Sequence, residues 1–236
     1  MMSQETLEEK ILKVPSRGQI AENIVTDGES TAWPRILFLG NSVTLHAPKP
    51  EIGWYGSWGM AASCREKDYV HRIMTAMRET RPNAAFCIAQ GSIWETTLER
   101  CAYETYFADG KAFRPDVILS TLEANIPENT FEPAVFCREL GRLHRYLSRK
   151  DGSTRLIVAS SMCRSPKKDA ALREYAMKMG ARYVEVGDVF ADPRNLAIGL
   201  FAHEGIQNHP SDIGMEKLAG RYLAAIEKSL LEMEDI

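Results

Sequence analysis

Arg35-Ile36-Leu37-Phe38-Leu39-Gly40-Asn41-Ser42-Val43-Thr44 is the stretch on which the fold turns. Four consecutive apolar residues leave no polar position between them, so this strand has no face turned to water. That pattern belongs to a parallel sheet covered on both sides rather than to an antiparallel sheet with one wet face. The run stops at a glycine and gives way to turn-forming residues, which ends the strand and opens a βα turn.

Working outward, the same alternation recurs. The segment 67–79 places Val70, Ile73, Met74 and Met77 on one face of a helix, and 84–90 (AAFCIAQ) is a second strand. A helical stretch over 94–107 precedes the strand 116–121, a longer one over 132–149 precedes 155–161, and a helix over 167–179 precedes 182–186. The last helix spans 211–231, with Met215, Leu218, Ala219, Tyr222 and Leu223 periodic along it. Apolar strands separated by helices predict an α/β protein: a three-layer α/β/α sandwich around a mostly parallel, five-stranded sheet. Residues 31–236 form this one domain. Residues 1–30, with one amphipathic stretch (Leu7 to Val14) and then polar sequence carrying Pro15, Gly18 and Gly28, read as an arm lying on the domain or on a partner subunit of a homo-oligomer.

Composition narrows the function. A formal net charge of -3 provides no basic field to hold nucleic acid. No run approaches the roughly 18 to 20 apolar residues of a membrane span. The N-terminus, MMSQETLEEKILKV, lacks the basic start and apolar block of a secretory signal, so a cytoplasmic protein is expected. Five scattered cysteines, an odd number without a C-x-x-C pair or a histidine at metal-ligand spacing, predict reduced thiols and no metal site.

In sheets of this kind the ligand site forms beyond the carboxyl ends of the strands. Ser42 follows the first strand directly; there it either caps the next turn or presents its hydroxyl to the crevice. Gly91 follows the second strand, and Asn125 lies beyond the third. His209 precedes Pro210 and the last helix, whose entrance Ser211 or Asp212 caps.

Taken together and in this order, Gly40-Asn41-Ser42, Gly91, Asn125 and His209-Pro210 resemble the marks of the SGNH (GDSL-like) hydrolases, with Asn41 where that superfamily usually has Asp. The resemblance spans about residues 35–225. It implies a flavodoxin-like sheet, Ser42 as nucleophile, His209 as general base, and an oxyanion held by the N–H groups of Ser42 and Gly91 and the Asn125 amide. No cofactor is implied; the partner is a small-molecule ester. Two departures stand out: the position three before the histidine, usually Asp, is Ile206, and the third block, Glu123-Ala124-Asn125-Ile126, lacks its usual first glycine and final acid. Glu204 is the first choice for the acid that orients His209; Asp212, a backbone carbonyl, or a dyad without an acid are the alternatives. The long segment 45–63 carries Trp54, Tyr55 and Trp58, and these rings either line a substrate pocket or anchor the loop; His46 and Trp94 are further candidates for the pocket border. The leading expectation is a serine esterase releasing a small acyl group, such as acetyl from a carbohydrate. A binding protein that keeps the fold without turnover, or a lysophospholipase or thioesterase using the same residues, are the alternatives.

Overall fold

The computed structural model describes residues 24–29, 31–162 and 164–234. Its strands are β1 (Ile24–Asp27), β2 (Arg35–Gly40), β3 (Ala85–Gln90), β4 (Val117–Ser120), β5 (Arg155–Ala159) and β6 (Arg182–Val184). The α-helices are α1 (Tyr69–Thr80), α2 (Ser92–Thr97), α3 (Tyr103–Tyr106), α4 (Ala108–Phe113), α5 (Pro133–Leu147), α6 (Pro166–Met179), α7 (Gly187–Ala191), α8 (Glu204–Gln207) and α9 (Asp212–Glu234).

The sheet order is β1-β3-β2-β4-β5-β6. Strands β2 to β6 are parallel, and β1 pairs antiparallel with β3. The five parallel strands read from the sequence are therefore joined by a sixth at the edge. β1 falls within the expected arm, 1–30: Ile-Val-Thr-Asp is too short, and too far from any turn pair, to register as a strand without the β3 edge it docks on. Of the expected arm, residues 1–23 and Ser30 lie outside the described residues.

Every residue of β2 and β3 is buried, as an unbroken apolar run requires. Successive side chains leave opposite faces of the sheet. Ile36 and Phe38 join one core with Val70, Ile73 and Met77 of α1 and Met215, Leu218, Tyr222 and Ile226 of α9. Leu37 and Leu39 join the other, with Phe136, Leu140, Leu143 and Leu147 of α5 and Ala171, Leu172 and Ala176 of α6. The helix expected over 94–107 is instead three short pieces, because Leu98 takes φ 42°, ψ −109° and breaks the chain after Thr97. Its apolar residues lack a sustained period of 3.6. Among the described residues no helix is long and apolar enough to cross a membrane, and Cys64, Cys87, Cys101 and Cys137 are free thiols.

The chain crosses from β2 to β3 on one side and returns to β4 on the other. The carboxyl end of β2 is thus the point where the strand order reverses, which is where open sheets of this kind bind their ligands.

Candidate active site

Ser42 stands in the turn leaving β2. Asn41 builds that turn: its carbonyl accepts from Thr44 N–H (2.9 Å) and Leu45 N–H (3.0 Å), and its Oδ1 accepts from Val43 N–H (3.3 Å). Gly40 is required for it, since a Cβ there would fall on the hydroxyls of Thr44 and Thr121. The turn lifts Ser42 so that its Oγ lies 2.7 Å from His209 Nε2.

His209 is fixed from both sides. Its N–H donates to Ile206 O (2.9 Å), its carbonyl accepts from Ala197 N–H (2.9 Å), and its Nδ1 is 2.7 Å from the carbonyl oxygen of Gly205. A carbonyl only accepts, so Nδ1 carries the proton and Nε2 presents its lone pair to the serine hydroxyl. This is the tautomer a general base needs. Burial pushes the imidazole down to about 4, helped by neighbouring His46 and opposed by the Gly205 hydrogen bond, so the ring is neutral at pH 7.

The orienting group is a backbone carbonyl, which corrects the expectation for Glu204. Glu204 opens the short helix α8, is exposed, and makes no hydrogen bond to His209. The same turn brings the next residue's carbonyl to the ring. Asp212 is equally engaged elsewhere: it accepts from Ser63 N–H (2.8 Å), Ser63 Oγ (2.7 Å) and Lys67 Nζ (3.0 Å), pinning the start of α9 to the 45–63 loop. Ile206, three before His209, is fully buried with Ile52, Trp54, Met60, Ala61 and Ala197.

The three groups expected to donate to an oxyanion divide. Ser42 N–H has no acceptor among the described residues. Gly91 N–H, by contrast, donates to Gly40 O at 2.5 Å, so the amide expected to face the substrate is spent joining the ends of β2 and β3. A Cβ on Gly91 would stand 2.6 Å from Leu122 Cδ2, which accounts for a glycine there by packing alone. Asn125 Nδ2 donates to Glu95 Oε2 (2.5 Å) and to Ser92 Oγ (3.2 Å). Glu95, which the sequence reading did not single out, is buried under this edge of the crevice. One acid in a short segment carries no periodic or motif signal. A backbone carbonyl such as Gly205 O carries none at all.

The aromatic loop is anchored rather than open. Trp54 is 3% exposed, donates from Nε1 to His46 O (3.3 Å), and packs against Trp58 and Phe201 at ring centroid distances of 5.7 and 6.1 Å. Trp58 is half-buried and donates to Ala62 O (2.9 Å); the exposed ring is Tyr55. His46 is buried, its Nδ1 donating to Ala47 O (2.6 Å). Trp94 does not border the crevice: it is fully buried in the core beneath α2, edge-on to Phe136 at 5.7 Å. Its place on the inner face of a half-buried short helix could not be told from the sequence. The loop is tied to Ser42 through Met60 N–H, which donates to Ser42 O (2.8 Å).

No protein-family model and no curated protein matches the sequence. Solved structures do match in fold. The psychrotrophic esterase EstA from Pseudoalteromonas sp., in a structure inhibited by monoethylphosphonate, superposes with a TM-score of 0.56 at 13% identity, over 84% of this chain and 98% of that one. A two-domain esterase (CEX) active on acetylated mannans gives a TM-score of 0.53 at 15% identity, over 83% of this chain and 48% of that one. A chain described as a GDSL-like lipase, from Parabacteroides merdae, gives 0.53 at 16% identity, over 82% and 95%. At such identities the likeness is one of fold.

Proposed function

We propose that this chain, which has the fold of the GDSL-like esterases and lipases, is a serine esterase that releases a small acyl group through an acyl-enzyme on Ser42. The observation that carries the reading is the contact of Ser42 Oγ with the unprotonated nitrogen of His209, 2.7 Å away at the strand-order reversal.

A serine hydroxyl is a weak nucleophile at neutral pH and needs a base in hydrogen-bond reach. As Ser42 Oγ bonds to the ester carbon, its proton passes to His209 Nε2, and the electron pair of the C=O bond moves onto oxygen. Gly205 O stabilises the resulting imidazolium at Nδ1. The negative oxygen is met by Ser42 N–H and the Asn125 amide, whose second hydrogen turns from Ser92 Oγ. Collapse expels the alcohol, which takes the proton from His209; water then enters by the same route and frees the acid.

The packed loop bonded to Ser42 supports a short acyl group. Met60 is fully buried and its N–H is tied to Ser42 O, while Trp54, Trp58 and Phe201 close the loop behind it. A long chain would have to displace these rings. Together with a fold neighbour active on acetylated mannans, this supports an acetyl ester on a carbohydrate as the substrate class.

The test is covalent. An organophosphonate should label Ser42 stoichiometrically in the wild type and leave Ser42→Ala unmodified. Turnover of p-nitrophenyl acetate should exceed that of the octanoate, with acetylated oligosaccharides assayed next. Absence of labelling would return the chain to a binding role; preference for the long ester would point to a lysophospholipid or thioester substrate.

A further inference from the structure

Buried carboxylates without a cation are costly, and Glu95 is one. It lies in α2 at 2% exposure, and every partner it has is a neutral donor. Its Oε1 accepts from Glu123 N–H (2.5 Å) and Asn41 Nδ2 (3.3 Å); its Oε2 accepts from Asn125 Nδ2 (2.5 Å). Two of these donors adjoin the chemistry. Asn41 precedes the nucleophile and builds its turn, and Asn125 is the amide placed at the oxyanion.

We infer that Glu95 is a positioning residue for the reaction proposed above, holding Asn41 and Asn125 with their NH2 groups inward so that the serine turn and the oxyanion amide keep one orientation. The reason is chemical. An asparagine side chain can present either its oxygen or its nitrogen in the same volume, and neighbours of mixed character do not choose between them. An ionised carboxylate only accepts, so it selects the nitrogen of both amides at once. With one hydrogen of Asn125 Nδ2 held at 2.5 Å, the amide plane is set, and the other hydrogen rests on Ser92 Oγ (3.2 Å), the acceptor that the substrate oxygen would replace. Protonated Glu95 would present its own hydrogen to three donors, and the selection would be lost.

The surroundings fit this role. The charged group facing Glu95 is Glu123, from the loop after β4, and it is itself neutralised by Lys168 of α6: Lys168 Nζ lies 3.1 Å from Glu123 Oε2 and also donates to Glu123 O (3.0 Å) and Ile126 O (2.7 Å). From α2, Ser92 contributes a hydroxyl, and from the turn after β2, Asn41 contributes an amide. Burial pushes the Glu95 carboxyl up to about 7, against the pull of its hydrogen bonds and with the push of Glu123. Activity that depends on the carboxylate form should therefore fall as pH drops through the neutral range.

The experiment compares wild type, Glu95→Gln, Asn125→Ala and the double variant on p-nitrophenyl acetate. Losing an oxyanion donor costs about 100- to 1,000-fold in kcat, and losing its orientation should cost about 10- to 100-fold in Glu95→Gln, with KM changed less than about threefold. Because Glu95 acts in part through Asn125, the double variant should lose at least about threefold less than the product of the two single losses. The wild-type acid limb near pH 7 should vanish in Glu95→Gln. Wild-type kcat in Glu95→Gln, or losses that multiply in the double variant, would overturn the assignment. A wild type that neither turns over ester nor takes the phosphonate label would overturn the esterase reading instead. Whether or not Glu95→Gln folds, the Asn125 side-chain amide in the wild type gives a second readout: its 15N NMR signal should titrate between pH 6 and 8, and a signal that stays still refutes the link.

Discussion

Replacing Glu204 by Gln separates two ways of orienting a catalytic histidine. Where a carboxylate holds the ring, removing its charge lowers kcat by about 10⁴-fold, or about 5 kcal/mol, because the wrong tautomer is left and the imidazolium loses its counter-charge. Here the proton on Nδ1 is held by Gly205 O at 2.7 Å, and Glu204, which opens the same turn, is exposed. Its remaining influence on His209 is a charge acting through solvent, worth well under about 1 kcal/mol. We expect kcat/KM of Glu204→Gln on p-nitrophenyl acetate at pH 8 to stay within about threefold of wild type. Asp212→Asn should behave alike in kcat, since its carboxylate serves Ser63 and Lys67. A loss of 100-fold or more in Glu204→Gln, with the circular dichroism spectrum and melting temperature of the wild type, would show that the carboxylate reaches the ring in solution and that the carbonyl is not the orienting group.

Three further outcomes are expected. Lys168→Met leaves Glu123 buried without its partner and should cost about 3 to 5 kcal/mol in denaturant unfolding; a cost under 1 kcal/mol would mean that Glu123 escapes to water. Gly91→Ala sets a Cβ 2.6 Å from Leu122 Cδ2, which should cost about 1 to 3 kcal/mol of overpacking, read as a lower melting temperature. Glu95, raised from 4.5 to about 7 in the fold, contributes stability that is fully present below about pH 4.5 and lost as pH rises through 7, so between pH 5 and 8 the wild type should lose up to about 3 kcal/mol relative to Glu95→Gln; parallel stability curves for the two proteins would contradict this.

How much of this was legible in the sequence depended on whether a residue speaks through pattern or through contact. The sheet was legible: strands 35–40, 84–90, 116–121, 155–161 and 182–186 all recur in the structure, trimmed by at most two residues at an end, because burial on both faces forces an unbroken apolar run. Ser42 was singled out by its place after a strand and His209 by the resemblance of the four blocks taken in order, and the structure sets their side chains 2.7 Å apart. β1 was not, since its four residues are held by the edge of β3 rather than by any amphipathic pattern of their own. The rings failed for a related reason: Trp54 and Trp94 are chemically fit to line a pocket, but only packing shows Trp54 turned to Phe201 and Trp94 turned to Phe136. Glu95 and Gly205 were silent, one a single acid in a broken helical stretch and the other acting through its backbone.

Ile206 explains why these last two matter together. At that position a carboxylate would have to leave water for a cluster formed by Ile52, Trp54, Met60, Ala61 and Ala197, a transfer that costs several kcal/mol without a partner. An apolar side chain there instead fastens α8 to the loop that carries Met60, whose N–H reaches Ser42 O. The same turn thus seats the loop and, one residue earlier, supplies the carbonyl for His209. A carbonyl dipole steadies an imidazolium less than a full negative charge does, in keeping with a ring pushed down to about 4. A base that holds its proton weakly leaves more of the barrier to be lowered at the other pole of the reaction, where charge gathers on the substrate oxygen. On that side the chain has placed a buried carboxylate whose three donors include the Asn41 and Asn125 amides; its charge opposes an oxyanion directly, so what it supplies is orientation, by keeping the nitrogen of each amide on its donor side.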